Sequence, residues 1–192
     1  LRPISEDVSN AMVERAWDHG MRYFDTAPYY GHGLSEARLG HSLRWKPRGE
    51  FVVSSKVGRV LKPARRSSIT FAPWVDAMPN VCHFDYSYDG TMRSFEDSLQ
   101  RLGLEHIDIL FIHDADVFTH GEAQQKIYFK QAMEGCYPAL VKLRDQGAVK
   151  AIGVGVNNWE VMLDFMKAGD YDCLLMAGRY TLLEQEPLDE LM

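Results

Sequence analysis

Three cysteines in 192 residues are too few and too scattered to organise a fold. Cys82, Cys136 and Cys173 form no C-x-x-C pair, and an odd number leaves no closed disulfide framework. Neither disulfides nor a zinc site are expected, and three small buried hydrophobes in a reducing compartment, the cytoplasm, are. Long apolar runs are missing too. The longest, such as Ile107–Ile112 with its break at Asp108, are strand-sized and far short of a bilayer span. Positive charge is scarce: 21 Lys and Arg face 27 Asp and Glu, a formal net charge of −6 with no basic face. That balance argues against a nucleic-acid partner. The remainder is an ordinary soluble composition, 46% apolar and 25% charged, enough for one good core and short for two domains.

Short apolar strands alternate with amphipathic helices along the whole chain. Val8, Met12, Ala16 and Trp17 fall at helical spacing behind Ser5, an N-cap, and Gly20 stops that helix. A strand at Arg22–Ala27, a helix from Ser35 to Arg44 and a strand at Phe51–Val57 follow. The segment from Leu61 to Asp89 carries prolines 63, 73 and 79 and is expected to be a long irregular loop, of the kind that is functional or mobile. Met92, Phe95, Leu99 and Leu102 give one helical face closed by Gly103. Ile107–His113 is a strand, and a polar loop is expected to run to Gln124. A helix through Ala132, Cys136, Ala139, Leu140 and Leu143 ends at Gly147. Then come a strand at Val149–Val156, a helix at Asn158–Lys167, a strand at Cys173–Tyr180 and the start of a helix at Glu184–Met192.

Such alternation implies parallel strands with right-handed crossovers, either a closed barrel or an open doubly wound sheet. A closed eight-fold barrel takes about 250 residues. Against that count, the first strand and roughly the last two βα units are missing. The expectation is one partial barrel domain over residues 1–192, from a polypeptide extending beyond both Leu1 and Met192.

Polar residues recur at strand ends. Alternation along Ile107–His113 puts Ile107, Ile109, Phe111 and His113 on one face. In the Val149 strand the matching face is Ala151, Gly153, Gly155 and then Asn157, small residues suited to a crowded interior. Tyr23 and Asp25 share a face, and Lys56 is a lone cation closing a β-branched, apolar strand. Asp25, Lys56, His113 and Asn157 therefore stand at the C-terminal ends of successive strands, where barrel active sites are built. A capping or solvated role would explain any one of them. A ring of four is harder to explain that way.

The segment Phe24-Asp25-Thr26-Ala27-Pro28-Tyr29-Tyr30-Gly31-His32-Gly33-Leu34-Ser35-Glu36, continuing to Leu39-Gly40, resembles the signature of the aldo-keto reductases. Ser55-Lys56-Val57 and Leu110-Phe111-Ile112-His113-Asp114 resemble the strands that carry that family's lysine and histidine. The resemblance implies an α/β fold, a parallel (β/α)8 TIM barrel incomplete in this chain. It implies hydride transfer between NAD or NADP and a small carbonyl or sugar substrate, the alternatives being a cofactor-binding, redox-sensing regulatory subunit without turnover and a metal-dependent barrel hydrolase. Tyr30 would be the proton-transfer group, five residues after Asp25. Lys56 and Asp25 would tune it, because a nearby ammonium favours the phenolate. His113 would orient the substrate oxygen, and no metal is required. Asn157 and Asn158 fall where the family contacts the nicotinamide carboxamide, and Ala177 where it commonly has Gln. The family's site for the adenosine phosphate lies near its last strand, so NAD and NADP both stay open. Phe84–Gly90, Phe95–Gly103 and Gly178–Gln185 resemble the branch that oxidises the anomeric carbon of an aldose, or pyridoxal, to a lactone.

Three weaker signals are set aside. Gly33-Leu-Ser35-Glu-Ala37 lacks the strand that runs straight into a nucleophile elbow, and Ser35 reads as a helix N-cap. Gly153-Val-Gly155 lacks the third glycine of a dinucleotide fingerprint. His113, Asp114, Asp116 and His120 match no metal spacing.

Overall fold

In the computed structural model, which describes residues 2–191, five parallel strands, β1 (Tyr23–Asp25), β2 (Val52–Val57), β5 (Ile109–His113), β6 (Ala151–Val156) and β7 (Cys173–Met176), form one curved sheet in that order. Helix α1 (Glu6–Asp18) is capped by Ser5, whose Oγ accepts from the Val8 amide at 3.3 Å. Next come β1 (Tyr23–Asp25), α2 (Leu34–Leu43) and β2 (Val52–Val57). A separate antiparallel hairpin, β3 (Arg59–Pro63) and β4 (Asn80–Phe84), precedes α3 (Tyr88–Leu102) and β5 (Ile109–His113). Helices α4 (Val117–Gln131) and α5 (Tyr137–Asp145), joined by a wider turn at Ala132–Cys136, lead to β6 (Ala151–Val156). The described part closes with α6 (Trp159–Ala168), β7 (Cys173–Met176) and the single turn α7 (Pro187–Glu190).

Strand register sets the two faces. Lys56 pairs with Phe111, Phe111 with Gly153, and His113 with Gly155. Asp25 pairs with Ser54, two residues before Lys56, so Asp25, Lys56 and His113 share the inner face. Val53, Val57, Leu110, Ile112, Ile152, Val154 and Val156 face the other way. They are buried against Leu43, Leu102, Leu140 and Phe165 of the helices. On the inner face, Phe111 is 2% exposed and takes the space that Gly153 vacates. A Cβ at Gly153 would lie 2.2 Å from the Cys173 carbonyl oxygen and 2.8 Å from the Phe111 ring.

At the opposite, N-terminal end of the strands, the buried Asp108 gathers Arg48, the Lys150 ammonium at 2.8 Å and the Val53 amide at 2.8 Å. Burial alone would push this carboxyl up. Hydrogen bonds from Lys150, Arg48 and Val53 outweigh it and hold the group below the usual carboxylate range.

The structure corrects five local expectations. The irregular stretch from Leu61 to Asp89 contains β4 and the end of β3, whose residues pair across a long connection (Leu61 with Cys82) that local pattern cannot reveal. The polar loop expected up to Gln124 is mostly α4. Asp116 caps it by accepting from the Thr119 amide at 2.9 Å, and the break in helical geometry at Gly121 (φ +72°) had masked the period. Ser35 is not a cap: α2 starts at Leu34, and Ser35 instead bonds Thr26 Oγ1 at 2.8 Å. The last strand stops at Met176, and of the helix expected at Glu184–Met192 only Pro187–Glu190 is helical, Met192 lying outside the described residues.

Candidate active site

The turn after β1 is bent by three consecutive left-handed residues, Gly31 (φ +62°), His32 (φ +53°) and Gly33 (φ +101°). Such geometry suits glycine and strains histidine, so something must hold His32 there. Its Nδ1 meets the Asn80 carbonyl at 2.6 Å while Asn80 Nδ2 donates back to the His32 carbonyl at 3.0 Å. The Met78 amide adds a bond to the Gly31 carbonyl at 3.0 Å. Behind the turn, the fully buried Glu36 accepts from Arg101 Nε at 2.6 Å and Ser55 Oγ at 2.7 Å. A side chain at Gly33 would collide with Arg101, its Cβ 2.9 Å from Cδ.

This bracing sets Tyr30 over Lys56. The Lys56 side chain is 1% exposed, and its Nζ donates to Asp25 Oδ2 at 2.6 Å and to the Thr26 carbonyl at 2.9 Å. The same ammonium lies 4.8 Å from the Tyr30 ring centroid. His113 closes the ring, its imidazole centroid 5.8 Å from that of Tyr30 and edge-on to it. Burial first, and then the cations of Arg59 and Lys56, push the His113 pKa well below the ordinary imidazole value, so the ring is neutral. The Tyr86 hydroxyl, fully buried, donates to the His113 carbonyl at 2.7 Å and fixes the strand end from behind.

These groups open into a cavity of about 760 Å³ roofed by the hairpin connection through Trp74 and walled by Tyr29, Phe84 and Phe118. Asn157, Gly155, Leu175 and Ala177 form its far side. The Asn157 amide is braced by Asp116, to whose Oδ2 its Nδ2 donates at 3.0 Å. Asn158 stands at the start of α6 with its Oδ1 accepting from the Phe118 amide at 2.9 Å, outside the residues that line the cavity. Asp25, Tyr30, Lys56 and His113 are thus brought together, with Asn157 across the cavity, while Asn158 is not among the residues that line it.

One pair escaped the sequence reading. Arg59, 5% exposed, lies between the faces of Tyr29 (4.0 Å) and Phe84 (4.4 Å) and pairs with Asp114. Burial pushes the Asp114 carboxyl up, and the Arg59 charge opposes that. The signal that could have found it is the Asp directly after the strand-end His113. Among the described residues no cluster of three or more His, Cys, Asp or Glu is arranged to hold a metal ion, and no helix is long and apolar enough to cross a membrane.

A model of the aldo/keto reductase family matches residues 2–192. Pyridoxal 4-dehydrogenase of Microbacterium luteolum is 41% identical over 191 residues, covering 95% of this chain and 56% of its own length. D-threo-aldose 1-dehydrogenase of a Pseudomonas species is 41% identical over 196 residues, 100% of this chain and 57% of its own. The chain therefore spans little more than half the length of these relatives. Among solved structures, an aldo-keto reductase from Bacillus halodurans in its holo form superposes with a TM-score of 0.68 at 19% identity, over 91% of this chain and 49% of that one. The glycerol dehydrogenase of Gluconobacter oxydans gives 0.63 at 25% identity, over 90% and 46%. The curved parallel sheet is accordingly an arc of a (β/α)8 barrel with polar groups at the C-terminal ends of its strands. The chain belongs to the aldo/keto reductase family.

Proposed function

We propose that the protein is an oxidoreductase that moves hydride between NAD or NADP and a small carbonyl or alcohol, its substrate an aldose oxidised at the anomeric carbon or pyridoxal. The observation that carries this is the buried Lys56, bonded to Asp25 and facing the Tyr30 ring at 4.8 Å beside a neutral His113. A buried ammonium paired with one carboxylate is costly to maintain. Beside a phenol it has a use: it favours the phenolate, so Tyr30 can take the proton from an alcohol and return it to a carbonyl. Asp25 holds the ammonium in place. His113, neutral and lining the cavity, orients the substrate oxygen. The bound nicotinamide supplies the hydride chemistry. Gly155 and Ala177 keep the far wall low enough for a flat ring, and the Asn157 amide beside them suits a carboxamide, with Asn158 next to it in the chain. The three free cysteines are in keeping with a reducing, cytoplasmic setting.

Replacing Tyr30 tests this. Tyr30→Phe lowers turnover of the full chain about 100-fold or more, the range of a general acid–base group, with cofactor affinity little changed. Tyr29→Phe, whose ring packs on Arg59 and Trp74, is much milder. Equal effects in the two variants would remove Tyr30 from the chemistry.

A further inference from the structure

Asp114 is not accounted for by hydride transfer. It directly follows His113, yet it abandons the extended geometry of the strand for a left-handed backbone at φ +50°. That conformation is uncommon outside glycine, asparagine and aspartate, and persists where the surroundings enforce it. Here they do. Arg59 grips the carboxylate through Nη2 at Oδ2, and Arg59 itself is clamped between Tyr29 and Phe84. Oδ2 also lies 3.2 Å from His113 Nε2, the group that faces the reacting oxygen in the proposed function. The other oxygen is treated differently. Oδ1 meets the Asn157 amide at 3.4 Å, long for a hydrogen bond, and among the described residues no closer donor reaches it. An ionised carboxylate offers about four acceptor sites. Asp114 therefore presents spare acceptor capacity to the cavity it lines.

We infer that Asp114 is a specificity-determining residue that accepts hydrogen bonds from hydroxyl groups of a polyhydroxylated substrate, held in its cavity-facing pose by Arg59. This rests on the oxidoreductase reading and narrows its substrate class. A carboxylate beside the group that orients the reacting oxygen recognises donors on neighbouring carbons, which an aldose carries and a simple aldehyde lacks. The aromatic walls at Trp74 and Phe118 suit the apolar face of a sugar ring. Losing a charge-assisted hydrogen bond to substrate weakens recognition about ten- to a hundred-fold.

The test is Asp114→Asn in the full chain, with L-fucose oxidation and butanal reduction measured side by side with NAD and NADP. Asparagine tolerates the left-handed backbone and its oxygen can still accept from Arg59, and a melting curve measures what the lost charge costs the fold. The expected result is a loss of kcat/KM for L-fucose, mainly through KM, at least ten-fold greater than any loss for butanal, which shares only the contact of Asp114 with His113. Parallel losses on both substrates, or no loss on either, overturn the inference. If the parent turns over neither substrate, the oxidoreductase reading fails separately, and saturation-transfer NMR then decides on binding alone. L-fucose binding that disappears in Asp114→Asn upholds the inference. Binding that survives the substitution, or is absent from the parent, defeats it.

Discussion

Glu36 offers the most exacting test of how the site is held. It is fully buried on α2, while Arg101 on α3 is 17% exposed, and Ser55 lies next to Lys56 on β2. One carboxylate thus joins two helices to the strand that carries the ammonium. Breaking a buried pair by removing one partner costs about 3–5 kcal/mol, because the other charge is left uncompensated. Arg101 keeps some contact with water, so Glu36→Gln belongs at the lower end, about 3 kcal/mol. For a chain of this size each kcal/mol moves Tm by about 2–4 °C, which makes the expected drop about 6–12 °C. Glu36→Met combined with Arg101→Met removes both charges and keeps apolar volume, and such replacements are often neutral. The double variant should then lie within about 1 kcal/mol of the parent. Urea and thermal denaturation of parent, single and double variants give the three values. A single-variant cost below about 1 kcal/mol, the range of exposed pairs, would refute the reasoning. So would a double variant as unstable as the single.

Two further predictions concern the inner face. Gly153→Ala drives a Cβ into the Cys173 carbonyl and should cost about 1–3 kcal/mol of stability. Gly155→Ala, whose Cβ would approach nothing closer than 3.5 Å, should melt close to the parent; similar losses for both would contradict the packing described. The depressed His113 pKa makes stability depend on pH. The unfolded state takes up a proton near pH 6.5 that the folded state refuses, so stability falls as pH drops below about 6.5, by at most about 1.4 kcal/mol per unit. The raised Asp114 carboxyl acts in the opposite sense, so the slope is read as the difference between the parent and His113→Gln across neutral and mildly acidic pH. His120, also depressed, contributes the same slope in every variant, and His113→Gln should flatten the remainder.

Part of the site was legible from strand ends: Asp25, Lys56, His113 and Asn157 were expected at the C-terminal ends of successive strands, and the strand registers put Asp25, Lys56 and His113 on one face, whereas Tyr30 was legible only through the family motif. What stayed hidden depended on distant partners or on backbone exceptions. Glu36 and Arg101 are 65 residues apart, and Arg59 and Asp114 are 55 apart. No local pattern marks such charges as buried rather than solvated. Asp114 turns left-handed where the strand period would carry it outward, and α4 contains a non-helical glycine that broke its apolar rhythm.

The clasp between His32 and Asn80 bears on any attempt to exchange parts between relatives. The hairpin and its connection roof the cavity and invite transplantation as a unit to alter what the protein accepts. Yet Asn80 belongs to that unit and grips the turn on which Tyr30 sits through two reciprocal bonds, with Met78 gripping it through a third. A graft that omits the amide at position 80 removes one of these bonds, and one that also shifts the backbone at 78 and 80 removes the other two, so that the strained His32 can relax and the tyrosine drift from the ammonium beneath it. Chimeras with exchanged hairpins would then lose rate on every substrate, which could be mistaken for failed recognition. Retaining Asn80 and the Met78 backbone contact separates the two, because the graft then changes the roof without releasing the turn that carries Tyr30.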